Sequence, residues 1–146
     1  MEKFIDRSKE AEKWSKIIID SYRAKQYDQC LNFIESAFEK FPKSLTYKLI
    51  QAECWLALNV NIEKIIKSLK ETIADHPDCS IAYYNLGHTY YRQGDLKESI
   101  DMLDKAAQLD PTRAMLKATE LKVQAQMIVR SLDDGEFEII IFFNCF

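Results

Sequence analysis

The three prolines of this sequence stand at nearly equal intervals along its 146 residues. Pro77 follows Pro42 by 35 residues, and Pro111 follows Pro77 by 34. A proline cannot continue a helix, because its ring removes a backbone donor and clashes with the preceding turn. Helix-forming residues are abundant between the prolines and only three glycines occur, which favours helices joined by short turns. The spacing therefore predicts a helical unit of about 34 residues that recurs along the chain.

The third unit carries the fullest pattern, that of the tetratricopeptide repeat, a pair of helices joined by a turn. Its signature positions hold Tyr83, Leu86, Gly87, Tyr90, Ser99, Leu103, Ala106 and Pro111. The small residues Gly87, Ser99 and Ala106 are expected where the paired helices cross closely. The stretch 93–95 is expected to form the turn, with Asp95 capping the next helix and Glu98 completing a capping box.

The two earlier units are looser copies of the same pattern. One period back, the positions hold Leu49, Ala52, Leu56, Ile65, Leu69, Thr72 and Pro77. Another period back, they hold Trp14, Ile17, Ser21, Cys30, Ile34, Ala37 and Pro42. Glu53 and Ile18 stand where the signature has glycine, so wider helix crossings are expected there.

These patterns predict an all-α fold, a tetratricopeptide repeat solenoid of three helix-turn-helix units plus a capping C-terminal helix. The predicted domain is 1–131, with repeats at about 11–44, 45–79 and 80–113, a capping helix at about 113–131 and an atypical apolar tail at 132–146. The predicted helices lie near 8–24, 27–40, 45–58, 62–75, 79–92, 96–109 and 113–131. Three repeats are about the minimum for a stable stacked core.

Composition excludes several classes of function. The formal charge is −3 and no basic cluster occurs, so nucleic acid is not an expected partner. The N-terminal segment is polar, and the longest apolar run, 139–143, is far shorter than a bilayer span, so neither a secretion signal nor membrane insertion is expected. The four cysteines lack metal-knuckle or redox spacing, so we expect reduced thiols in a cytoplasmic protein without metal or cofactor.

The first helices of stacked repeats of this type are expected to line a concave groove. The predicted groove-binding residues are Ile19, Tyr22, Arg23, Tyr47, Ile50, Cys54, Tyr84, His88, Tyr91 and Arg92. Many such domains grip the acidic tail of a heat-shock chaperone through a carboxylate clamp, but Ser15, Gln51 and Ile81 stand where clamp residues belong. We therefore expect burial of an amphipathic helix or apolar peptide. The alternative is that Tyr84 and Tyr91 simply pack between repeats.

The tripeptide His76-Pro77-Asp78 is the signature with which J-domains stimulate chaperone ATPases. Here it coincides with the proline that ends the second repeat, which already explains it. His88 has no catalytic partner at suitable spacing. We therefore expect no enzymatic activity.

Several longer strings resemble the middle repeats of one co-chaperone family, the DnaJ proteins of subfamily C that combine tetratricopeptide repeats with a J-domain. The strings are 37–42, 47–54, the third repeat and the helix reaching Asp133-Asp134-Gly135. The resemblance covers residues 10–135 and implies heat-shock chaperones or their clients as partners. The family has nine repeats and a C-terminal J-domain, whereas this sequence diverges after Gly135, so a truncated or alternatively spliced form or a gene fragment is expected.

The sequence thus predicts a non-catalytic adaptor of the co-chaperone kind. The alternative is a repeat scaffold in another cytosolic assembly, which the residues alone do not separate from the first. The apolar segment from Ile139 to Phe146 is expected to cover the exposed face of the last helix or to enter the groove.

Overall fold

The computed structural model describes residues 2–112 and 116–133, with side chains described in 6–112 and 121–130. All regular structure in these ranges is helical. The helices are α1 (Glu2–Arg23), α2 (Tyr27–Phe38), α3 (Leu45–Ala57), α4 (Ile62–Asp75), α5 (Ser80–Gln93), α6 (Leu96–Leu109) and α7 (Leu116–Asp133). The prediction of helix pairs is confirmed, although α1 begins earlier than expected. The predicted tail from residue 134 onward lies outside the described residues.

The helices form two compact units, Met1–Ser68 and Leu69–Phe146. In the first unit, α2 packs against both α1 and α3, and α1 also contacts α3. In the second unit, α6 packs against both α5 and α7, and α5 also contacts α7. Each unit therefore contains a helix pair and the helix that follows it, packed in the same order.

The core of the first unit is built from side chains on α1, α2 and α3. Its buried members are Ile18, Cys30, Ile34, Ala37, Tyr47 and Cys54. Cys30, Ile34 and Ala37 recur at helical spacing and so form one face of α2. Ile18, at a usual glycine position, is 0% exposed, so its larger side chain is accommodated inside the core.

The small residues of the third repeat mark a close helix crossing. A β-carbon added at Gly87 would lie 2.7 Å from Leu103 Cγ and 3.2 Å from the Leu103 backbone nitrogen. The buried Ser99 Oγ donates a hydrogen bond of 2.8 Å to the Gly87 carbonyl. Cys30 and Ile18 occupy the equivalent positions of the first unit, and there Cys30 Sγ donates a hydrogen bond of 3.5 Å to the Ile18 carbonyl. The same contact therefore joins a helix pair in each unit. For α5 and α6 it confirms the close crossing that the small residues predicted.

The first helix of every pair ends in the same backbone motif. Lys25, Asn59 and Gly94 adopt positive φ angles of 59°, 56° and 93° just beyond α1, α3 and α5. In each case the next amide donates to a carbonyl five residues back, namely Gln26 to Ser21, Val60 to Trp55 and Asp95 to Tyr90. These are Schellman motifs, which satisfy carbonyls at a helix end and usually place glycine at the left-handed residue.

We expect Lys25→Gly to raise the free energy of unfolding of the first unit by up to about 1 kcal/mol, because a left-handed conformation strains residues with a β-carbon. Lys25 is exposed, so its side chain buries nothing that the change would lose. Urea unfolding followed by circular dichroism measures the effect. Lys16→Gly, inside α1 and equally exposed, is the control and should be destabilising. Equal losses in both variants would contradict this interpretation.

The predicted capping box of α6 is wrong. Asp95 is the N-cap residue, but its side chain makes no cap hydrogen bond. A side-chain cap is present instead on α3, where Ser44 Oγ accepts from the Tyr47 amide at 3.4 Å. The turn before α6 is therefore held by the backbone motif at Gly94 rather than by the cap.

Candidate protein-binding site

One face of α5 carries four of the predicted binding residues together with Ile81. Tyr84, His88 and Tyr91 follow Ile81 at steps of three and four residues, and Arg92 lies four residues after His88, so they share a face of the helix. Ile81 is 43% exposed, Arg92 is exposed, and the three ring-bearing residues are half-buried. The face is thus a mainly aromatic surface with a cation at its end.

Tyr84 connects this face to the core of the second unit. Its ring packs against the buried pair Leu103 and Ala106 on α6, and it lies 6.1 Å from the His88 ring. Tyr84 therefore packs on α6 while keeping part of its surface open. Tyr90 points elsewhere on α5, with Lys70 Nζ 5.9 Å from its ring.

The pKa of His88 is lowered from its ordinary value of 6.5, first because the imidazole is partly removed from water and second because Arg92 is nearby. Both effects disfavour the protonated ring. At neutral pH the α5 face therefore presents a neutral imidazole beside a guanidinium.

This shift makes folding stability depend on pH. A histidine with a lowered pKa binds its proton more weakly in the folded protein than in the unfolded chain, so stability is lost as the pH falls below about 6.5 and the loss levels off below the folded pKa. We expect His88→Gln to reduce the loss in free energy of unfolding between about pH 7.5 and pH 5.5. Urea unfolding at the two pH values checks this, with His76→Gln as the control. Identical pH dependence in wild type and His88→Gln would contradict it.

The predicted residues on α1 form a second face. Ile19 and Tyr22 are half-buried and Arg23 is exposed. The pKa of Tyr22 is raised, chiefly by burial and then by a hydrogen bond to Glu53 on α3. Glu53 stands at the usual glycine position of the second repeat, and no sequence pattern indicates that it hydrogen-bonds Tyr22. The Tyr22 ring also lies 6.1 Å from that of Tyr27.

The structure corrects the prediction for α3. Tyr47 is 3% exposed and Cys54 is 0% exposed, and both belong to the core of the first unit. The Tyr47 hydroxyl hydrogen-bonds Ser15 Oγ at 3.1 Å and donates to the Ala11 carbonyl at 3.4 Å. Neither side chain is open to a ligand. Ile50, also predicted, is half-buried and packs against the same core.

The Cys54 thiol is also chemically quiet. Burial raises its pKa, and the neighbouring Cys30 thiol raises it further. Because the thiolate is the reactive form, a raised pKa disfavours nucleophilic chemistry. Both free cysteines are buried in the core of the first unit, where they pack as small side chains.

The tripeptide His76-Pro77-Asp78 forms the link between α4 and α5. The His76 amide donates to the Thr72 carbonyl at 2.8 Å, and the Cys79 amide donates to the His76 carbonyl at 3.1 Å. These bonds end one helix and lead into the next, which is the role that the repeat assigns to this proline.

The described part of the chain carries neither a membrane-spanning helix nor a metal-binding cluster. None of its helices has the length and apolarity needed to cross a bilayer. Its His, Cys, Asp and Glu side chains form no group of three or more that could hold a metal ion.

Residues 80–113 match the family model of the tetratricopeptide repeat. The tetratricopeptide domain of Sgt2 from Aspergillus fumigatus has a similar fold, with a TM-score of 0.75 and 17% identity over 87% of this chain and 83% of that one. The first such domain of Spaghetti (RPAP3), bound to the HSP90 peptide SRMEEVD, has a TM-score of 0.74 and 14% identity over 85% of this chain and 96% of that one.

A third similar structure is PcrH in complex with the chaperone binding region of PopD. Its TM-score is 0.66, with 14% identity over 88% of this chain and 95% of that one. Together with the helix order, these likenesses show that the fold is the all-α tetratricopeptide repeat fold. The predicted fold class is confirmed.

Proposed function

We propose that this chain is a non-catalytic protein-binding module that holds an apolar or amphipathic segment of a partner on the first helices of its repeats. The observation that carries the proposal is the α5 face, where Ile81 is 43% exposed beside half-buried Tyr84, His88 and Tyr91. Aromatic side chains that keep an open surface supply large contact areas in protein interfaces. On α1 and α3, the proposed contacts are Ile19, Tyr22, Arg23 and Ile50.

The partner class that fits best is a heat-shock chaperone or one of its clients, which makes the chain a co-chaperone-like adaptor related to the DnaJ family. Its support is the sequence resemblance described above and the similarity to domains that bind such segments. The Spaghetti domain was solved with an HSP90 peptide, and PcrH was solved with a region of PopD. The proposed localisation is the cytoplasm.

The mode of binding is proposed to be burial rather than capture of a free carboxylate. Ser15 stands at a clamp position, and its hydroxyl is joined to Tyr47 at 3.1 Å. Ile81 stands at another clamp position and offers an apolar surface. An acidic C-terminal peptide therefore meets neither of the lysines that the clamp supplies.

We expect a labelled amphipathic peptide of leucine and glutamine to bind with micromolar affinity, because three repeats bury less than about 1,200 Å² against a peptide. The acidic peptide SRMEEVD should bind more weakly. Combining Ile81→Ser with Tyr91→Ala should weaken binding of the leucine peptide by about tenfold, since a few central contacts dominate an interface. Fluorescence anisotropy measures both peptides.

Val123→Ser is the matched control, because Val123 is also 43% exposed but lies on α7, which carries none of the proposed contacts. It should leave the affinity within about twofold. Equal weakening by both variants, or nanomolar binding of SRMEEVD, would count against the proposed mode.

The alternative function is a scaffold subunit of another cytosolic assembly, as the repeat fold is shared by both classes. Affinity capture from lysate with wild type and the Ile81→Ser/Tyr91→Ala variant separates them. Chaperones and unfolded clients that are lost with the variant support the adaptor. A single stoichiometric complex that survives in the variant supports the scaffold.

A further inference from the structure

Helix α1, helix α2 and the turn after α2 line an open cleft of about 740 Å³ that shares no residue with the faces proposed above. Its floor is apolar, and its walls carry five charged side chains. The floor residues are Trp14, Ile17 and Phe33, and the wall residues are Asp6, Lys9, Glu10, Lys13 and Lys40. The cleft belongs wholly to the first unit.

The floor of this cleft offers aromatic surface to a partner. Trp14 and Phe33 pack against the core of the first unit and also line the cleft. All three floor residues are half-buried. A cleft of this volume accommodates several apolar side chains, and recessed aromatic side chains are frequent anchors in interfaces.

The charges on the walls are not balanced. Lys40, in the turn after α2, forms a salt bridge with Glu10 on α1. Lys9 and Lys13 are exposed and lie four residues apart on α1, a spacing at which like charges repel. Asp6 is the remaining acidic wall residue for these two lysines. The cleft is therefore locally cationic in a chain whose formal charge is −3.

We propose that the α1–α2 cleft docks an acidic amphipathic helix of a partner protein. The apolar stripe of that helix covers Trp14 and Phe33, and its carboxylates pair with Lys9 and Lys13. Carboxylates there relieve the repulsion between the two lysines, while the apolar floor supplies the burial. This surface goes beyond the proposed function, because it uses the outer edge of the first helix pair and none of the α5 residues.

Trp14 provides a direct readout of the proposed docking. The chain has two tryptophans, so Trp55→Phe leaves Trp14 as the reporter. The probe is a 16-residue helical peptide with leucine at helical spacing and glutamate elsewhere, compared with the same peptide carrying lysine. We expect the glutamate peptide to shift Trp14 emission to shorter wavelength and to bind at least about tenfold more tightly than the lysine peptide.

Charge reversal supplies a second measurement that does not depend on the tryptophan variant. Lys9→Glu/Lys13→Glu should invert the preference between the two labelled peptides in an anisotropy assay. Lys97→Glu/Lys105→Glu, two exposed lysines on α6, is the matched control and should keep the original preference. The Ile81→Ser/Tyr91→Ala variant should also keep it, which separates this site from the proposed α5 face.

Three outcomes would overturn the docking of an acidic helix. One is equal binding of the two peptides, and another is unchanged Trp14 emission at saturating glutamate peptide. The third is concentration-dependent dimerisation in sedimentation that Lys9→Glu/Lys13→Glu abolishes, which would assign the cleft to a second copy of the chain.

Discussion

Tyr47→Ala is expected to lower the free energy of unfolding by about 3–5 kcal/mol, the range for removing a large aromatic side chain from a core. Tyr47 is 3% exposed, and its ring meets those of Phe38 and Phe41 edge-on at 6.3 and 6.5 Å. Removing the ring leaves a cavity between three helices and deletes the hydrogen bonds to Ser15 and the Ala11 carbonyl. Urea unfolding measured by circular dichroism reports the loss.

Tyr47→Phe is the matched control, since it keeps the ring and removes only the hydroxyl. Its expected effect is about 1 kcal/mol, the usual net value of a hydrogen bond. The pair also tests whether Tyr47 belongs to the core rather than to the binding surface. A Tyr47→Ala protein of unchanged stability that no longer binds the leucine peptide would restore Tyr47 to the binding surface.

Gly87→Val is expected to destabilise the second unit by about 3 kcal/mol, the upper end of the usual range for overpacking. The added β-carbon would lie 2.7 Å from Leu103 Cγ, and its 3.2 Å approach to the Leu103 nitrogen cannot be relieved by rotating a side chain. Helices α5 and α6 must therefore separate, which also stretches the hydrogen bond from Ser99 to the Gly87 carbonyl. Urea unfolding is again the measurement.

Two variants make this test specific. Gly94→Ala adds a β-carbon that meets no atom within 4 Å, so only the left-handed backbone at φ 93° opposes it, at about 1–2 kcal/mol. Gly87→Val combined with Leu103→Ala should be less destabilised than the sum of the single changes, because the truncated leucine leaves room for the valine. Strict additivity would show that the two side chains do not compete for the same space.

The sequence predicted the helices because the residues that end a helix act locally. Pro42, Pro77 and Pro111 cannot lie inside helices, so they limit where each pair ends. The close crossing was predicted from Gly87 and Ser99 because small size at a crossing leaves few alternatives. Both predictions depend on single residues or short spacings, so they can be made without knowing the tertiary contacts.

The site was predicted less well, because exposure depends on neighbours distant in sequence. Repeat positions placed Tyr47 on the face of a first helix, yet a long side chain on a helix leans toward the preceding turn, and here it reaches Phe38 and Phe41. The hydrogen bond from Tyr22 to Glu53 joins residues 31 positions apart, and no spacing rule indicates it. Trp14 was assigned to a signature position, but its contribution to a cleft depends on where α2 and the turn after it place Phe33 and Lys40.

The helix ends at Lys25, Asn59 and Gly94 bear on how such a chain diverges. The reversal after each first helix is held by amide-to-carbonyl bonds that every residue except proline can make, and the only demand on the side chain is tolerance of one left-handed angle. Lysine and asparagine adopt this angle with modest strain, so the bend persists where another residue replaces glycine. The bend is therefore found where the sequence pattern of the repeat is weak. The family model matches residues 80–113, whereas the same bend also follows α1 and α3.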